Sequence, residues 1–197
     1  LDAATARQRL QSAWDTAIQS GLEVARASWD MGDIPPPNRW PRYETVRVSL
    51  LHYLSEQASR RPGAGMNATG WRVTVETWIE SPDGRIGGKP DRVEAKPDGV
   101  EVVDLKSGAS AGGEVPAEYR RQLLIYAFLW HAAHGVWPTS AAVQGPSGDR
   151  SSFRVDASEA ETVADAAIKQ MELFNEAVLK TDDPDALATP SEDNCRY

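Results

Sequence analysis

Two aspartates and a lysine stand close enough in this sequence to share one task. Asp91 lies in Gly88-Lys89-Pro90-Asp91-Arg92, and Val103-Asp104-Leu105-Lys106 follows soon after. Side chains alternate along a strand, so Asp104 and Lys106 share one face of a strand over 100–106. Val103 and Leu105 take the other face, the expected core side. A tight Lys96-Pro97-Asp98-Gly99 connection folds that strand back on 85–95, which carries Asp91. The two carboxylates then stand side by side, and their repulsion calls for a compensating charge. Hard oxygen ligands of this kind suit Mg²⁺ or Mn²⁺. An ion so held, with a lysine beside the developing charge, has what phosphodiester hydrolysis requires: a polarised phosphate, an activated water and a stabilised leaving oxygen.

Other residues fall near these three. Glu76, on the strand before Asp91, is within reach of the same ion directly or through water, and Glu80 has the same parity and competes with it. The Gly87-Gly88 pair lets backbone or substrate approach closely. On a later helix Gln122 and Tyr126 are four residues apart and share a face. They could bind a substrate phosphate or brace Lys106, while Arg120 and Arg121 add positive charge suited to a polyanion.

These positions need a sheet and its helices. A helix is expected over 2–30, with Trp14, Ile18, Leu22, Ala25 and Trp29 as its apolar stripe. Gly32 and Pro35-Pro36-Pro37 end it. A second helix covers 43–60, with Val46, Leu50, Tyr53 and Leu54 inward, before the break at 61–65. Residues 71–80, 85–95 and 100–106 read as three strands in an antiparallel meander. After the glycine-rich stretch 108–113 come a helix over 117–133 and strands at 139–145 and 151–156. Ser158 and Glu161 read as a capping box for a helix to about Leu179, with Val163, Ala167, Met171, Phe174 and Val178 buried. The expectation is one α+β domain over 1–197, a mixed sheet flanked by helices: a helical part at 1–65, a core at 71–156, a helix at 158–180 and a tail at 181–197.

Composition narrows the setting. At 197 residues the chain is most economically one domain. Its net charge of -8 argues against a module that grips nucleic acid over its whole surface, though a cleft can be locally positive. The single cysteine, Cys195, excludes an internal disulfide and a complete cysteine metal site, and it fits a reducing, cytoplasmic setting. No stretch approaches the roughly 20 apolar residues of a membrane span. Because the first residue is Leu1, the sequence is expected to lie within a longer chain.

Taken in order, the blocks Gly88–Arg92, Val103–Gly108 and Tyr119–Ala127 resemble the PD-(D/E)XK nuclease superfamily. Within it they are most similar to the RecB-like branch found at the ends of helicase–nucleases and in related exonucleases. The resemblance spans about 71–156 and implies a restriction-endonuclease-like αβ sandwich. It implies that Asp91 and Asp104 bind metal together with the Leu105 carbonyl, and that Lys106 is the catalytic lysine. Gln122 and Tyr126 match the branch's Q-x-x-x-Y signature, which contacts DNA beside the site. The branch usually carries a metal-binding histidine on a helix before the first strand; His52 is the only histidine there, at a spacing short for that role. The run Pro190–Tyr197 resembles the lead-in to a [4Fe–4S] cysteine cluster, which Cys195 could join only in a full-length protein holding three more thiolates. His131 and His134 read as end-of-helix residues.

The resemblance thus implies a Mg²⁺- or Mn²⁺-dependent DNA nuclease, exonucleolytic, acting by one-step hydrolysis. Its partners would be DNA and a helicase motor, which must lie outside these residues because they contain no phosphate-binding G-x-x-x-x-G-K-[ST] loop. The alternative is a catalytically silent nuclease fold that binds DNA ends or scaffolds a repair complex. The acidic surface and the missing histidine favour that alternative, and the matched Asp91, Asp104 and Lys106 oppose it.

Overall fold

Apolar residues at helical spacing draw the first two helices together. They are α1 (Ala3–Ser28) and α2 (Tyr43–Arg60), with a short 3-10 turn at Pro37–Arg39 between them. Trp14 donates its indole N–H to the Tyr43 hydroxyl at 2.9 Å, and Leu22 and Leu51 are buried. The computed structural model describes residues 3–28, 34–60, 72–106, 113–183 and 187; the expectations placed on Trp29, on 61–71, on most of the glycine-rich stretch and on nearly all of the tail lie outside them.

The rest of the chain builds the sheet. Its strands are β1 (Arg72–Val75), β2 (Ile79–Glu80), β3 (Gly87–Gly88), β4 (Arg92–Lys96), β5 (Gly99–Leu105), β6 (Ser140–Gln144) and β7 (Arg150–Arg154). Five of them form one sheet in the order β1-β4-β5-β6-β7, while β2 and β3 make a separate two-stranded ribbon. Neighbours are antiparallel except β5 and β6, which run parallel. A parallel pair needs a crossover, and α3 (Ala117–His134) supplies it. The helix ends on Gly135, whose left-handed φ of 72° lets its N–H reach the His131 carbonyl at 2.7 Å. The mixed α+β sheet flanked by helices agrees with the sequence expectation.

Three local expectations need correction. The strands read over 71–80 and 85–95 are each split. Glu76 takes a φ of 46°, a left-handed turn rare outside glycine, which ends β1 and turns the chain into the ribbon. Beyond that turn Ile79 joins the core. Second, Leu105 is not a core residue but 48% exposed, because it is the last residue of β5 and stands at the sheet's rim. Third, α4 (Ala157–Lys180) is capped by Asp156, whose carboxylate accepts the Glu159 N–H at 3.0 Å, rather than by the Ser158–Glu161 box. Its buried stripe is Ala160, Ala164 and Ile168, while Met171 and Phe174 are exposed. Two alanines allow a close helix approach, and Arg120 of α3 grips Glu159 of α4 with two guanidinium hydrogen bonds.

The core lies between the sheet and α3. Val93, Val100, Val102, Ala141 and Val143 pack there with Leu123, Leu129 and Trp130. Each large side chain removed from water contributes roughly 1.5–3 kcal/mol. Both faces of β5 are covered, since Val103 and Ala142 on the opposite face are also fully buried. A central strand of this kind does not show simple apolar–polar alternation.

Candidate functional site

At one end of the sheet the strand register gathers the carboxylates. Arg92 pairs with Val103, so the next step sets Asp91 opposite Asp104. Val75 pairs with Arg92, so one step on sets Glu76 opposite Asp91, and the Glu76 amide donates to the Asp91 carbonyl at 3.1 Å. Asp91 and Asp104 therefore share the face that also bears Val93, Val100 and Val102. The Leu105 amide closes the hairpin by donating to Asp91 Oδ2 at 2.7 Å.

Asp104 is buried, and Lys106 Nζ lies 2.9 Å from its Oδ2. The contact is an ion pair, and Oδ2 is a buried oxygen with no geometric hydrogen bond among the described residues. Burial pushes the Asp104 carboxyl above its ordinary pKa; Lys106 pulls it down, and the charge of Asp91 adds to the rise. Burial alone would lower the Lys106 ammonium, but the Asp104 carboxylate outweighs it and leaves the lysine above its usual value.

Helix α3 forms the wall beside the lysine. Lys106 Nζ donates to Gln122 Oε1 at 3.4 Å, and Gln122 Nε2 donates to the Tyr126 hydroxyl at 3.2 Å. The ammonium also lies 5.0 Å from the centre of the Tyr119 ring, a cation–π distance. Gly88 is needed here because a Cβ would stand 2.8 Å from Tyr126 Cε1. The Lys106 amide donates to the Gln144 carbonyl at 3.0 Å, so β6 fixes the lysine's backbone.

The reverse face of the sheet holds a charge network that the sequence reading missed. Glu94 is buried and sits within 3.0 Å of Arg92, 3.0 Å of Lys96 and 2.8 Å of Arg150. Arg150 also bonds Glu101 at 2.7 Å and the Gln144 side chain at 2.8 Å, and Arg92 reaches the same Gln144 oxygen. Arg92, Glu94 and Lys96 have one parity on β4, which is the only signal of it in the sequence.

The remaining candidates stand apart. Glu76 is exposed, and its carboxylate pairs with Lys89 at 3.1 Å. Glu80 lies on the ribbon and accepts from the Trp78 indole at 3.2 Å. His52 is exposed on α2, 3.8 Å from Glu56, and Arg121 is exposed on α3. Cys195 lies outside the described residues. Among the described residues, no group of three or more His, Cys, Asp or Glu gathers as a metal site would need.

A model of the PD-(D/E)XK nuclease superfamily matches residues 3–197. The chain belongs to that superfamily. No curated protein matches the chain. Among solved structures, one similar chain is the crystal structure of SSO0001, at 14% identity and a TM-score of 0.33, with 66% of this chain and 67% of that chain covered. PD-(D/E)XK nucleases generally use divalent metal ions, and the donors here fit one in kind. Asp91 and Asp104 offer hard oxygens on one face, and the buried Asp104 Oδ2, though paired in charge with Lys106, accepts no hydrogen bond among the described residues. Among the described residues, no helix is long and apolar enough to cross a membrane.

Proposed function

We propose that this chain is a Mg²⁺- or Mn²⁺-dependent DNA nuclease domain, exonucleolytic and working with a helicase motor or within a DNA repair protein. The observation that carries the reading is the buried Asp104 Oδ2, beside Asp91 and 2.9 Å from Lys106. In this reading Asp91 and Asp104 hold the ion, with the Leu105 carbonyl as a third donor and Glu76 as a further one once it leaves Lys89. When bound, the ion supplies the charge that polarises the phosphate and eases a water's loss of its proton.

The chain's own residues do the rest. Lys106 keeps its charge, because its raised pKa holds it protonated at neutral pH. Its ammonium is then placed to stabilise the charge that builds on the phosphoryl oxygens in the transition state. Gln122 braces it, and Tyr126 sets Gln122; the match of both to a DNA-contacting signature supports a second role toward the backbone phosphate. Arg121 adds positive charge on the same helix. Roles for His52, and for Cys195 in a [4Fe–4S] cluster of a longer protein, stay with the resemblance alone.

A silent DNA-end module is the second reading. It is favoured by the engagement of Glu76 with Lys89, which leaves two carboxylates where a full ligand set needs more. Cleavage of labelled linear DNA with Mg²⁺ or Mn²⁺ separates the readings. The parent should cut. Lys106→Ala should lose roughly a hundred- to a thousandfold in rate while keeping Mn²⁺ affinity, and Asp104→Ala should lose both. A parent that binds DNA ends but never cuts supports the silent module, and a Lys106→Ala variant at parental rate removes the lysine from catalysis.

A further inference from the structure

We infer that Trp78 is a stacking platform for an unpaired base of the DNA strand, which makes the site select single-stranded over duplex DNA; the inference rests on the nuclease reading. Trp78 lies just past the turn at Glu76, and the residue is 62% exposed. An exposed tryptophan loses contact with nothing it should be packed against only when something else holds it, and two features hold this one. Its N–H donates to Glu80 at 3.2 Å, and its ring covers the space a side chain on Gly87 would fill, where a Cβ would stand 2.7 Å from Cζ2. The ring is therefore fixed in orientation yet open to solvent, a surface prepared for a flat apolar partner. Every base offers such a face once it is unpaired.

Position makes nucleic acid the occupant. Ile79 pairs with Gly88, so one register step sets Trp78 opposite Lys89, two residues before Asp91. Only Lys89 and Pro90, outside any strand, separate β3 from Asp91. A phosphate that draws Lys89 from Glu76, with its base on Trp78, would bring the strand to the end of the sheet that bears the carboxylates. A duplex cannot use the platform, because its bases are stacked on one another and hidden from the indole.

The ribbon is an unusual place for so large an apolar surface. Glycines at Gly87 and Gly88 allow Trp78 on one side and Tyr126 on the other to close on the backbone. The ribbon thereby connects the platform, through Tyr126 and Gln122, to Lys106.

The test is fluorescence anisotropy with an oligo-dT strand, a strand of the same length lacking bases, and a blunt duplex, with Ca²⁺ replacing Mg²⁺ to prevent cutting. Trp78→Leu keeps an apolar cover over Gly87 and should weaken oligo-dT binding about tenfold, within the roughly 5- to 150-fold range of base–aromatic stacking. Trp78→Tyr should keep most of the affinity, and all three proteins should bind the abasic strand and the duplex alike. Matching thermal melts show that the variants fold. Should Trp78→Leu not fold, Trp78→Met, which also covers Gly87 without a ring, takes its place with the same expected loss on oligo-dT alone. Equal oligo-dT affinity for parent and Trp78→Leu, or an equal loss on the abasic strand, overturns the platform and leaves the nuclease reading standing. A parent that binds none of the three overturns both.

Discussion

The backbone amide of Leu105 donates to the side chain of Asp91 at 2.7 Å, across the open end of the β4–β5 hairpin. One carboxylate thus serves the fold and, in the proposed reading, the ion. The two uses are separable. Asp91→Asn keeps an acceptor oxygen but loses the charge, so Mn²⁺ affinity measured by calorimetry should fall at least tenfold while the melting temperature stays close to the parent's. Asp91→Ala should lose the affinity and also about 1.5–3 kcal/mol of stability, the usual worth of a hydrogen bond to a charged group. Unchanged Mn²⁺ affinity in both variants removes Asp91 from the ligand set.

Asp104 should behave in the opposite sense. Its folded pKa is raised, so the folded protein binds its proton more tightly than the unfolded chain. The ionised carboxylate therefore weakens the metal-free fold at neutral pH, and the weakness is relieved as the pH falls through the raised value. Asp104→Asn, measured in EDTA, should melt roughly 2–4 °C above the parent, the shift that 1 kcal/mol produces in a domain of this size. The same variant should show no stabilisation by Mn²⁺, whereas the parent gains with ion concentration. A variant that melts below the parent in EDTA shows that Asp104 is a structural anchor for Lys106.

Glu94 gives a third expectation, with its own pH window. Burial pushes its carboxyl up, but hydrogen bonds from Arg150 and Lys96 and the charge of Arg92 outweigh that and leave it below the ordinary value. A depressed carboxyl contributes stability that is complete above the unfolded glutamate pKa of about 4.3 and fades as the pH falls through the folded value. Glu94→Gln should cost about 3–5 kcal/mol at pH 7, because it leaves buried cations short of a partner. It should also flatten the loss of stability below about pH 4.3. Urea midpoints for parent and variant at a series of pH values read both effects; parallel curves show that Glu94 does not govern the acid limb.

What the sequence made legible was local. Asp91 and Asp104 meet across a short hairpin whose turn residues are plain, and strand alternation puts them on one face. Gln122 and Tyr126 share a helix face by their spacing alone. What stayed hidden depended on distant partners or on a backbone angle with no residue signal. Glu76 adopts a left-handed φ without being Gly, Asn or Asp, so nothing announced that two strands would split there. Glu94 and Arg150 are joined over 56 positions, and only the β4–β5–β6–β7 register brings them together. Leu105 looked like core because it shares a face with the buried Val103, but it is the last residue of β5 and stands at the sheet's rim. The Ser158–Glu161 pair matched a capping pattern, but Asp156 stood two residues earlier and captured the helix start.

The parallel pairing of β5 with β6 sets an order of assembly. Leu105 and Asp91 find each other over 14 positions, a loop that closes before much else has formed. The Lys106 amide waits for the Gln144 carbonyl, and the whole of α3 must be folded and docked between them. Closing that longer loop costs roughly 1 kcal/mol more in chain entropy, and such long-range pairings are the slow contacts of folding. The carboxylate pair is therefore expected in an early hairpin, while Gln122 and the Gln144 carbonyl reach Lys106 only with α3 and β6. Refolding is then expected to bring the two carboxylates together before Lys106 gains the partners that orient it.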